Sequence, residues 1–280
     1  MSSIFDQMLS RYEIKTNEDK HNAQHEVIQQ ITLSALNRAG FFNSAAFYGG
    51  TCLRIFYELQ RFSEGMDFSL LEKEENFTLE NYFDLIHSEF KAFGREVSIT
   101  KKNKKHATQV ESAFLKDNTE IYNVEFHTER AIKIKIEVDK DPPLNFKTEH
   151  KLLLLPYSFM TRCFTLSGLY AGKMHALLFR NWRNRVKGRD WYDLEWYVRK
   201  GCTIDFEHLK KRSVQSGYTE TQEFTKDICI DLLKKRIASI NMEMVKADVS
   251  PFIKNTKELD IWSTDYFLQL ADMIKFEEFR

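Results

Sequence analysis

The chain has 280 residues, enough for one large or two ordinary domains. Its composition, 42% hydrophobic and 29% charged, is that of a globular protein, and the balance of 41 basic and 41 acidic residues argues against a surface that grips nucleic acid everywhere. Four scattered cysteines predict reduced cytoplasmic thiols, with neither a disulfide framework nor a zinc site. The absence of long apolar runs predicts no membrane span.

The first half of the chain alternates helical and strand patterns. Apolar residues recur at helical spacing over 25–39, and a short apolar strand, 45–48, runs into Gly49-Gly50. Thr51 is expected to open the next helix, 52–59. Further strands are predicted at 66–70, 97–100, 121–126 and 131–138, with a helix at 79–93. The last strand alternates aliphatic and charged residues, as a half-buried strand requires, and Asp141-Pro142-Pro143 ends it.

From about Leu166 the pattern becomes helical, with helices predicted at 169–181, 189–199, after Asp205, at 221–237 and at 264–274. The order is therefore mixed α/β first and nearly all helix afterwards, which predicts an α+β chain. We place a domain boundary near Pro156, which gives an α/β domain at 1–156 and a helical domain at 157–280.

Gly49-Gly50-Thr51 joins a predicted strand to a predicted helix. Two glycines at this point let backbone N–H groups approach an anion closely, and the helix N-terminus adds partial positive charge. Thr51 could cap the helix or contact a phosphate. A plain tight turn with a threonine cap explains the same three residues.

Three carboxylates are candidates for metal ligands, because phosphoryl transfer uses carboxylates to hold divalent ions against phosphates. Asp67 lies on the strand 66–70, and Glu137 and Asp139 have the i, i+2 spacing that puts two side chains on one strand face. Glu64, three residues before Asp67, should point to the opposite face of a regular strand. An ordinary surface position on the strand is the competing interpretation for Asp67, and a solvated face with salt bridges is that for Glu137 and Asp139.

A second set of charged residues lies on predicted helices. Lys173 and Arg180 share one helix face, and Lys173 could neutralise a triphosphate. A lysine whose side chain extends along an exposed helix to solvent is the alternative. Asp190 and Asp193 share another face near a helix N-terminus, where acidic capping is the simpler explanation. A basic stretch between these helices could contact the backbone of a nucleic acid; its members are Arg180, Arg183, Arg185, Lys187 and Arg189.

The order of these segments carries more information than any one of them. Along the chain come Phe47-Tyr-Gly-Gly-Thr-Cys-Leu-Arg54, Arg61-Phe-Ser-Glu-Gly-Met-Asp-Phe-Ser-Leu70, Lys135-Ile-Glu-Val-Asp139, Gly172-Lys-Met-His-Ala-Leu177 and Arg185-Val-Lys-Gly-Arg-Asp-Trp-Tyr-Asp193. Over residues 45–200 this series resembles the AbiEii/AbiGii toxin family of bacterial nucleotidyltransferases, within the DNA polymerase β-like superfamily.

The resemblance implies a small mixed sheet flanked by helices, followed by a helical domain that closes a nucleotide cleft. It implies transfer of a nucleotide from an NTP, with Mg²⁺ or Mn²⁺, to an acceptor such as tRNA or another RNA, and a separately encoded antitoxin. By position, Gly49, Gly50, Thr51, Arg54 and Ser63 would bind the nucleotide. Metal ligation would fall to Asp67 with Glu137 or Asp139, phosphate contact to Lys173, and the acid of the final motif would be Asp190.

One position departs from the family pattern. The pattern is generally Ser-Glu-Asp-x-Asp-Phe, and residue 65 of this chain is Gly. Loss of one bridging carboxylate should weaken metal binding, unless Glu64 reaches the site through a bulge or Glu137 and Asp139 together compensate. The alternative function is therefore a degenerate transferase fold that binds nucleotide or RNA without efficient transfer. A third interpretation is a protein that only forms a complex with an antitoxin.

Overall fold

The structure, a computed structural model, describes residues 3–101, 119–126, 132–143, 146–180, 186–218 and 223–278. The chain divides into two compact units. The first comprises Met1–Cys52, Glu64–Leu144 and Thr148–Cys163, and the second comprises Leu53–Ser63, Asn145–Lys147 and Phe164–Arg280. The boundary near Pro156 stays a prediction.

A mixed sheet forms the centre of the first unit. Its strands in the described residues are β1 (Ala45–Tyr48), β2 (Met66–Leu70), β3 (Val97–Lys101), β4 (Thr119–Phe126), β5 (Ile132–Asp139), β6 (Thr148–Leu153) and β7 (Phe159–Phe164). Their spatial order is β3-β4-β5-β2-β1-β7-β6. β2 pairs parallel with β5 and antiparallel with β1, whereas β4 pairs antiparallel with both β3 and β5.

The alternation predicted for β5 is confirmed. Ile132, Ile134, Ile136 and Val138 are buried, whereas Lys133 and Lys135 are exposed. The buried faces of β1, β2 and β5 carry much of the apolar core of this unit, in which the Phe68 ring lies 5.1 Å from Phe41 and 5.0 Å from Phe47. The opposite face of β2 and β5 is the one that carries carboxylates.

Helices of the first part of the chain are α1 (Ile4–Leu9), α2 (Asn17–Arg38), α3 (Gly49–Tyr57) and α4 (Phe83–Ala92). α2 begins eight residues before the predicted start at residue 25, because Thr16 and Asp19 form a capping box that stabilises a polar first turn. α4 packs against α2. The helix predicted at 79–93 is a 3₁₀ turn, Leu79–Tyr82, followed by α4.

The sequence interpretation was wrong on two points. α3 begins at Gly49 and not after Thr51, so the two glycines lie inside the first helical turn. The strands β6 and β7 were not predicted. β6 buries no residue fully, which leaves it without a clear period-two pattern, and β7 is a six-residue run beside Pro156 that we interpreted as a boundary.

The second unit is mainly helical. It contains α5 (Leu166–Phe179), α6 (Gly188–Arg199), α7 (Phe206–Gln215), α8 (Lys226–Ser239), α9 (Met242–Val249) and α10 (Thr264–Asp272). It also contains a short parallel pair, β8 (Thr203–Ile204) with β9 (Lys275–Phe276), and two 3₁₀ turns, Ser250–Phe252 and Thr256–Leu259. Its core includes the stacked rings of Tyr170 and Tyr197, 4.2 Å apart.

The predicted fold class, a mixed α/β part followed by a helical part, is confirmed. In the portion of the chain that the structure describes, no helix is long and apolar enough to cross a membrane.

Candidate active site

The pairing of β2 with β5 determines which carboxylates lie together. Asp67 is the direct neighbour of Glu137, and Ser69 is the direct neighbour of Asp139. Direct neighbours on adjacent strands are about 4.8 Å apart and place their side chains on the same face of the sheet. The register therefore brings Glu137 beside Asp67 and leaves Asp139 one pleat further along the same face.

The backbone of Gly49 lies against the carboxylate of Asp67. A Cβ atom at position 49 would sit 3.1 Å from Cβ and 3.0 Å from Cγ of Asp67, and would overlap its Oδ2. Gly49 also has φ of +83°, which a side chain disfavours. Only glycine fits here, and the carboxylate consequently lies next to the first turn of α3.

Thr51 connects the glycine corner to the start of β2. Its side chain is fully buried, and its hydroxyl donates a hydrogen bond to the carbonyl oxygen of Gly65. This bond fixes the loop before Asp67 to the first turn of α3. The structure thus gives Thr51 a positioning role, while Gly49 and Gly50 are half-buried at the helix start.

Asp139 and Glu64 lie in different surroundings from Asp67. Asp139 is 7% exposed and accepts a hydrogen bond from the backbone N–H of Asp141, 3.1 Å away. The exposed Glu64 lies two residues before the buried Met66, so it continues the strand face on which Met66 and Phe68 lie. Its negative charge acts on the side chain of His25 in α2. Strand alternation therefore puts Glu64 on the face opposite Asp67.

The donor set on the carboxylate face suits a hard divalent cation. Mg²⁺ in phosphate-transferring sites is usually bound by one or two protein carboxylates together with phosphate oxygens and waters. Asp67 and Glu137 supply two carboxylates, and Glu137 also pairs with Lys135. Within the described ranges no group of three or more His, Cys, Asp or Glu side chains is gathered as a metal site. Two protein carboxylates fit a cation whose remaining ligands come from outside the protein.

In the second unit, two buried aspartates of α6 hold a network of cations. The Arg61 guanidinium binds Asp193 in a bidentate manner, with Nε to Oδ1 at 2.6 Å and Nη2 to Oδ2 at 2.7 Å. The Lys173 ammonium bridges both aspartates, at 2.6 Å from Asp190 Oδ1 and 2.7 Å from Asp193 Oδ2. Arg180 Nη1 lies 3.3 Å from Asp190 Oδ2. The predicted shared faces of Lys173 with Arg180, and of Asp190 with Asp193, are confirmed.

The charges of this network determine the protonation of its members. Burial would raise the pKa of Asp190, but the positive charges of Lys173, Lys187 and Arg180 outweigh it and hold that pKa well below its ordinary value. Burial would also raise the pKa of Asp193, but the charges of Arg61 and Lys173 lower it below its ordinary value. Burial, helped by Arg180, Lys173 and Arg189 and opposed by Asp190, lowers the pKa of Lys187 to about 8. Cations outnumber carboxylates here, so the network favours anions.

Two of the other predicted site residues, Arg54 and Arg189, contact groups of the protein itself. Arg54 Nη1 donates to the carbonyl oxygens of Leu59 and Gln60, each at 3.0 Å, and the half-buried Ser63 follows this turn. The Arg189 guanidinium lies over the Phe252 ring at 4.0 Å. Arg183 and Arg185 lie outside the described residues.

Arg61 lies in one of the family segments, but the sequence alone predicts no role for it. Arg61 is 2% exposed and its partner Asp193 is fully buried. The spacing of Asp193 from Asp190 predicts that both lie on one helix face. Nothing in the sequence indicates that Asp193 pairs with Arg61, which lies 132 residues away along the chain. Such a pairing depends on tertiary structure alone.

Replacing Gly49 by Ala is expected to reduce both stability and any activity of this site. A residue other than glycine at positive φ costs about 1–3 kcal/mol, and the added methyl group displaces the Asp67 carboxylate. Gly172→Ala is a matched control, since a Cβ there meets nothing within 4 Å and alanine favours the helix. Thermal unfolding of both variants checks this; equal stability of the two would contradict the crowding at position 49.

Comparisons with known proteins agree on the fold. The JHP933 structure from Helicobacter pylori is 17% identical with a TM-score of 0.53, covering 90% of this chain and 90% of that chain. MenT4, a nucleotidyltransferase toxin from Mycobacterium tuberculosis, is 13% identical with a TM-score of 0.50, covering 96% and 98%. A further H. pylori protein, described as a proposed nucleotidyltransferase, is 18% identical with a TM-score of 0.51, covering 89% and 92%. At these identities the likeness shows the fold alone.

A search of curated protein sequences gave no match. A family model described as nucleotidyl transferase AbiEii toxin, type IV toxin–antitoxin system, matches residues 31–272, which is most of the chain. This confirms the resemblance seen in the motifs, and the chain belongs to the AbiEii nucleotidyltransferase toxin family.

Proposed function

We propose that this protein is a Mg²⁺-dependent nucleotidyltransferase toxin that transfers a nucleotide from an NTP to RNA, with tRNA as the expected acceptor. Family membership implies an NTP substrate, usually a divalent metal, and a cognate antitoxin. The observation that carries the proposal is the strand register that sets Asp67 beside Glu137, with the Gly49 backbone against the Asp67 carboxylate.

In the proposed reaction, a hydroxyl oxygen of the acceptor attacks the α-phosphorus of the NTP and loses its proton to solvent. The bond between that phosphorus and the α,β-bridging oxygen breaks to release pyrophosphate. A bound divalent ion would neutralise phosphate charge and lower the pKa of the attacking hydroxyl. Asp67 and Glu137 would hold that ion, and Asp139 would be able to support it. The backbone N–H groups of Gly49 and Gly50 at the start of α3 would bind the phosphates.

Lys173 is proposed as a phosphate contact. An ammonium group has three donor hydrogens, and Asp190 and Asp193 accept two of them. The third is proposed to donate to a phosphate oxygen. Asp190 and Asp193 then act as positioning residues, because they fix the direction of the lysine side chain. Arg54 and Ser63 are proposed as further nucleotide contacts, and Arg180, Lys187 and Arg189 as contacts of the RNA backbone.

Incubation with each α-labelled NTP and total RNA tests the proposal. We expect label from one or more NTPs to enter RNA, to be released by ribonuclease and to be abolished by EDTA. Label that survives EDTA would contradict metal dependence, and transfer to protein and not RNA would contradict the acceptor.

The alternative function is a fold that binds NTP or RNA without efficient transfer, and Gly65 is the observation that favours it. Titration calorimetry with each NTP, with and without Mg²⁺, separates the two. Binding of an NTP without any label transfer supports the alternative. Transfer of label to RNA from the same NTP that binds supports the enzyme.

Replacing Gly65 by Asp is expected to raise the transfer rate by about 10–100-fold, because a second carboxylate two residues before Asp67 shares its strand face. The position accepts a side chain: its φ is not positive, and a Cβ meets only the Lys135 carbonyl oxygen, at 3.4 Å. Gly65→Asn is the matched control without charge. An equal gain in both variants would show that metal ligation is not the cause.

A further inference from the structure

The proposed metal ligand Glu137 is already paired with a cation of the protein. The Lys135 ammonium forms an ion pair with Glu137 Oε1, and the two residues lie two positions apart on one face of β5. This pair is at the surface, since the Lys135 side chain is 45% exposed and that of Glu137 is 26% exposed. A divalent ion that binds Glu137 must therefore compete with this ammonium for the carboxylate.

The cross-strand neighbours of Lys135 direct its charge along its own strand. On β4, the residue directly opposite Lys135 is the neutral Asn123. From the side of β2, Gly65 approaches the Lys135 backbone so closely that a Cβ added to it would lie 3.4 Å from the carbonyl oxygen, and glycine has no side chain of its own. Neither neighbour supplies a carboxylate, so the lysine pairs with Glu137 at the next position on the same face.

Repulsion between two carboxylates explains why a cation is useful at this point. Asp67 and Glu137 are direct neighbours on adjacent strands, and like charges in that arrangement destabilise a strand pair. Lys135 offsets the repulsion by neutralising one of the two. An exposed ion pair is weak, and a lysine ammonium sits on a flexible four-carbon stem, so a dication can displace it.

We propose that Lys135 is an internal counter-ion of the carboxylate pair, which neutralises Glu137 while no divalent ion is bound and is displaced when one binds. The inference rests on the proposed function, because it concerns the metal ligands of that site. Lys135 is then a positioning residue that sets the affinity for the metal without being a ligand of it. Its removal should strengthen metal binding, whereas loss of a ligand weakens it.

Titration with Mn²⁺ alone, followed by the electron paramagnetic resonance signal of the unbound ion, tests this competition. We expect Lys135→Met to lower the dissociation constant by about tenfold, because a unit positive charge close to the dication is removed and the ammonium no longer competes for Glu137. Lys133→Met is the matched control. Lys133 lies on the same face one pleat away and pairs with Glu125 at 3.3 Å, so its loss changes the net charge equally. The more distant charge should alter the constant by about twofold at most.

A double-mutant cycle shows whether the effect acts through Glu137. In a Glu137→Gln background, Lys135→Met should change the Mn²⁺ affinity no more than Lys133→Met does, because the carboxylate for which the ammonium competes is absent. Thermal unfolding gives a second measurement. At one Mn²⁺ concentration, the metal should raise the unfolding temperature of Lys135→Met by more than that of the parent chain or of Lys133→Met, because a ligand bound more tightly stabilises the fold more.

Several outcomes would overturn the inference. Mn²⁺ affinity in Lys135→Met that is equal to or below that of Lys133→Met excludes the competition, and a gain that persists in the Glu137→Gln background excludes Glu137 as its site. Absence of Mn²⁺ binding in both the parent chain and Lys135→Met would overturn it together with the proposed metal site. Mn²⁺ binding that responds to Lys135 in a chain without transfer activity would sustain the inference and contradict the enzyme, because titration with the metal alone requires no transfer.

Discussion

Replacing Asp193 by Asn is expected to lower the free energy of unfolding by about 3–5 kcal/mol, because removing one member of a buried ion pair leaves a buried charge uncompensated. Asp193 is fully buried and binds both Arg61, at 2.6 and 2.7 Å, and Lys173, at 2.7 Å. The variant keeps the size of the side chain but loses the negative charge, and Arg61 has no other carboxylate at hydrogen-bond distance among the described residues.

The same substitution at an exposed ion pair provides the control. Asp272 pairs with Lys234 at 2.5 Å, but its side chain is 63% exposed. Exposed pairs contribute about 0.2–1 kcal/mol, so Asp272→Asn should have little effect. Urea unfolding of the two variants and the parent chain gives the comparison. Similar losses in both variants would show that the buried network does not stabilise the second unit.

The pH dependence of stability gives a second measurement on the same network. The folded-state pKa values of Asp190 and Asp193 lie below their ordinary value near 3.8. A carboxylate with a lowered folded pKa stabilises the fold above its unfolded pKa, and this contribution is lost as pH falls through the folded pKa. The parent chain should therefore lose stability below about pH 4, and Asp193→Asn should show a shallower loss in that range.

Much of the fold could be predicted because it depends on local pattern. The strict alternation of Ile and Val with charged residues in β5 is enough to assign a strand and its buried face. The start of α2 was missed because its first turns are polar and its signal is the Thr16–Asp19 capping box. β6 was missed because an edge strand that buries no residue fully carries no such alternation.

The candidate site was less accessible from the sequence, because it depends on register and distant contacts. Spacing alone left Glu137 and Asp139 equivalent, and only the pairing with β2 distinguishes them. The closeness of Gly49 to Asp67 and the bond from Thr51 to Gly65 likewise follow from the packing of α3 beside β2. Motif order identified the family, but it could not assign partners to the charged residues.

Replacing Asp67 by Asn is expected to lower the nucleotide transfer rate by about 1000-fold, the equivalent of about 4 kcal/mol of transition-state stabilisation. The substitution keeps the shape of the side chain beside Gly49 and removes the charge that is proposed to hold a divalent ion. Initial rates of label transfer to RNA measure the effect, and calorimetry measures the Mg²⁺-dependent part of NTP binding. An unfolding midpoint temperature equal to that of the parent chain would show that the loss of activity concerns metal binding and not folding.

The two remaining carboxylates form an internal comparison for the strand register. Glu137 is the direct neighbour of Asp67, so Glu137→Gln should lower transfer by about 10–100-fold and weaken Mg²⁺-dependent NTP binding. Asp139 lies beside Ser69 and accepts from the Asp141 N–H, so Asp139→Asn should retain most of the activity. The reverse order of effects would move the second metal ligand to Asp139. Because the three substitutions are all isosteric, a difference among them reports on position along the sheet and not on side-chain size.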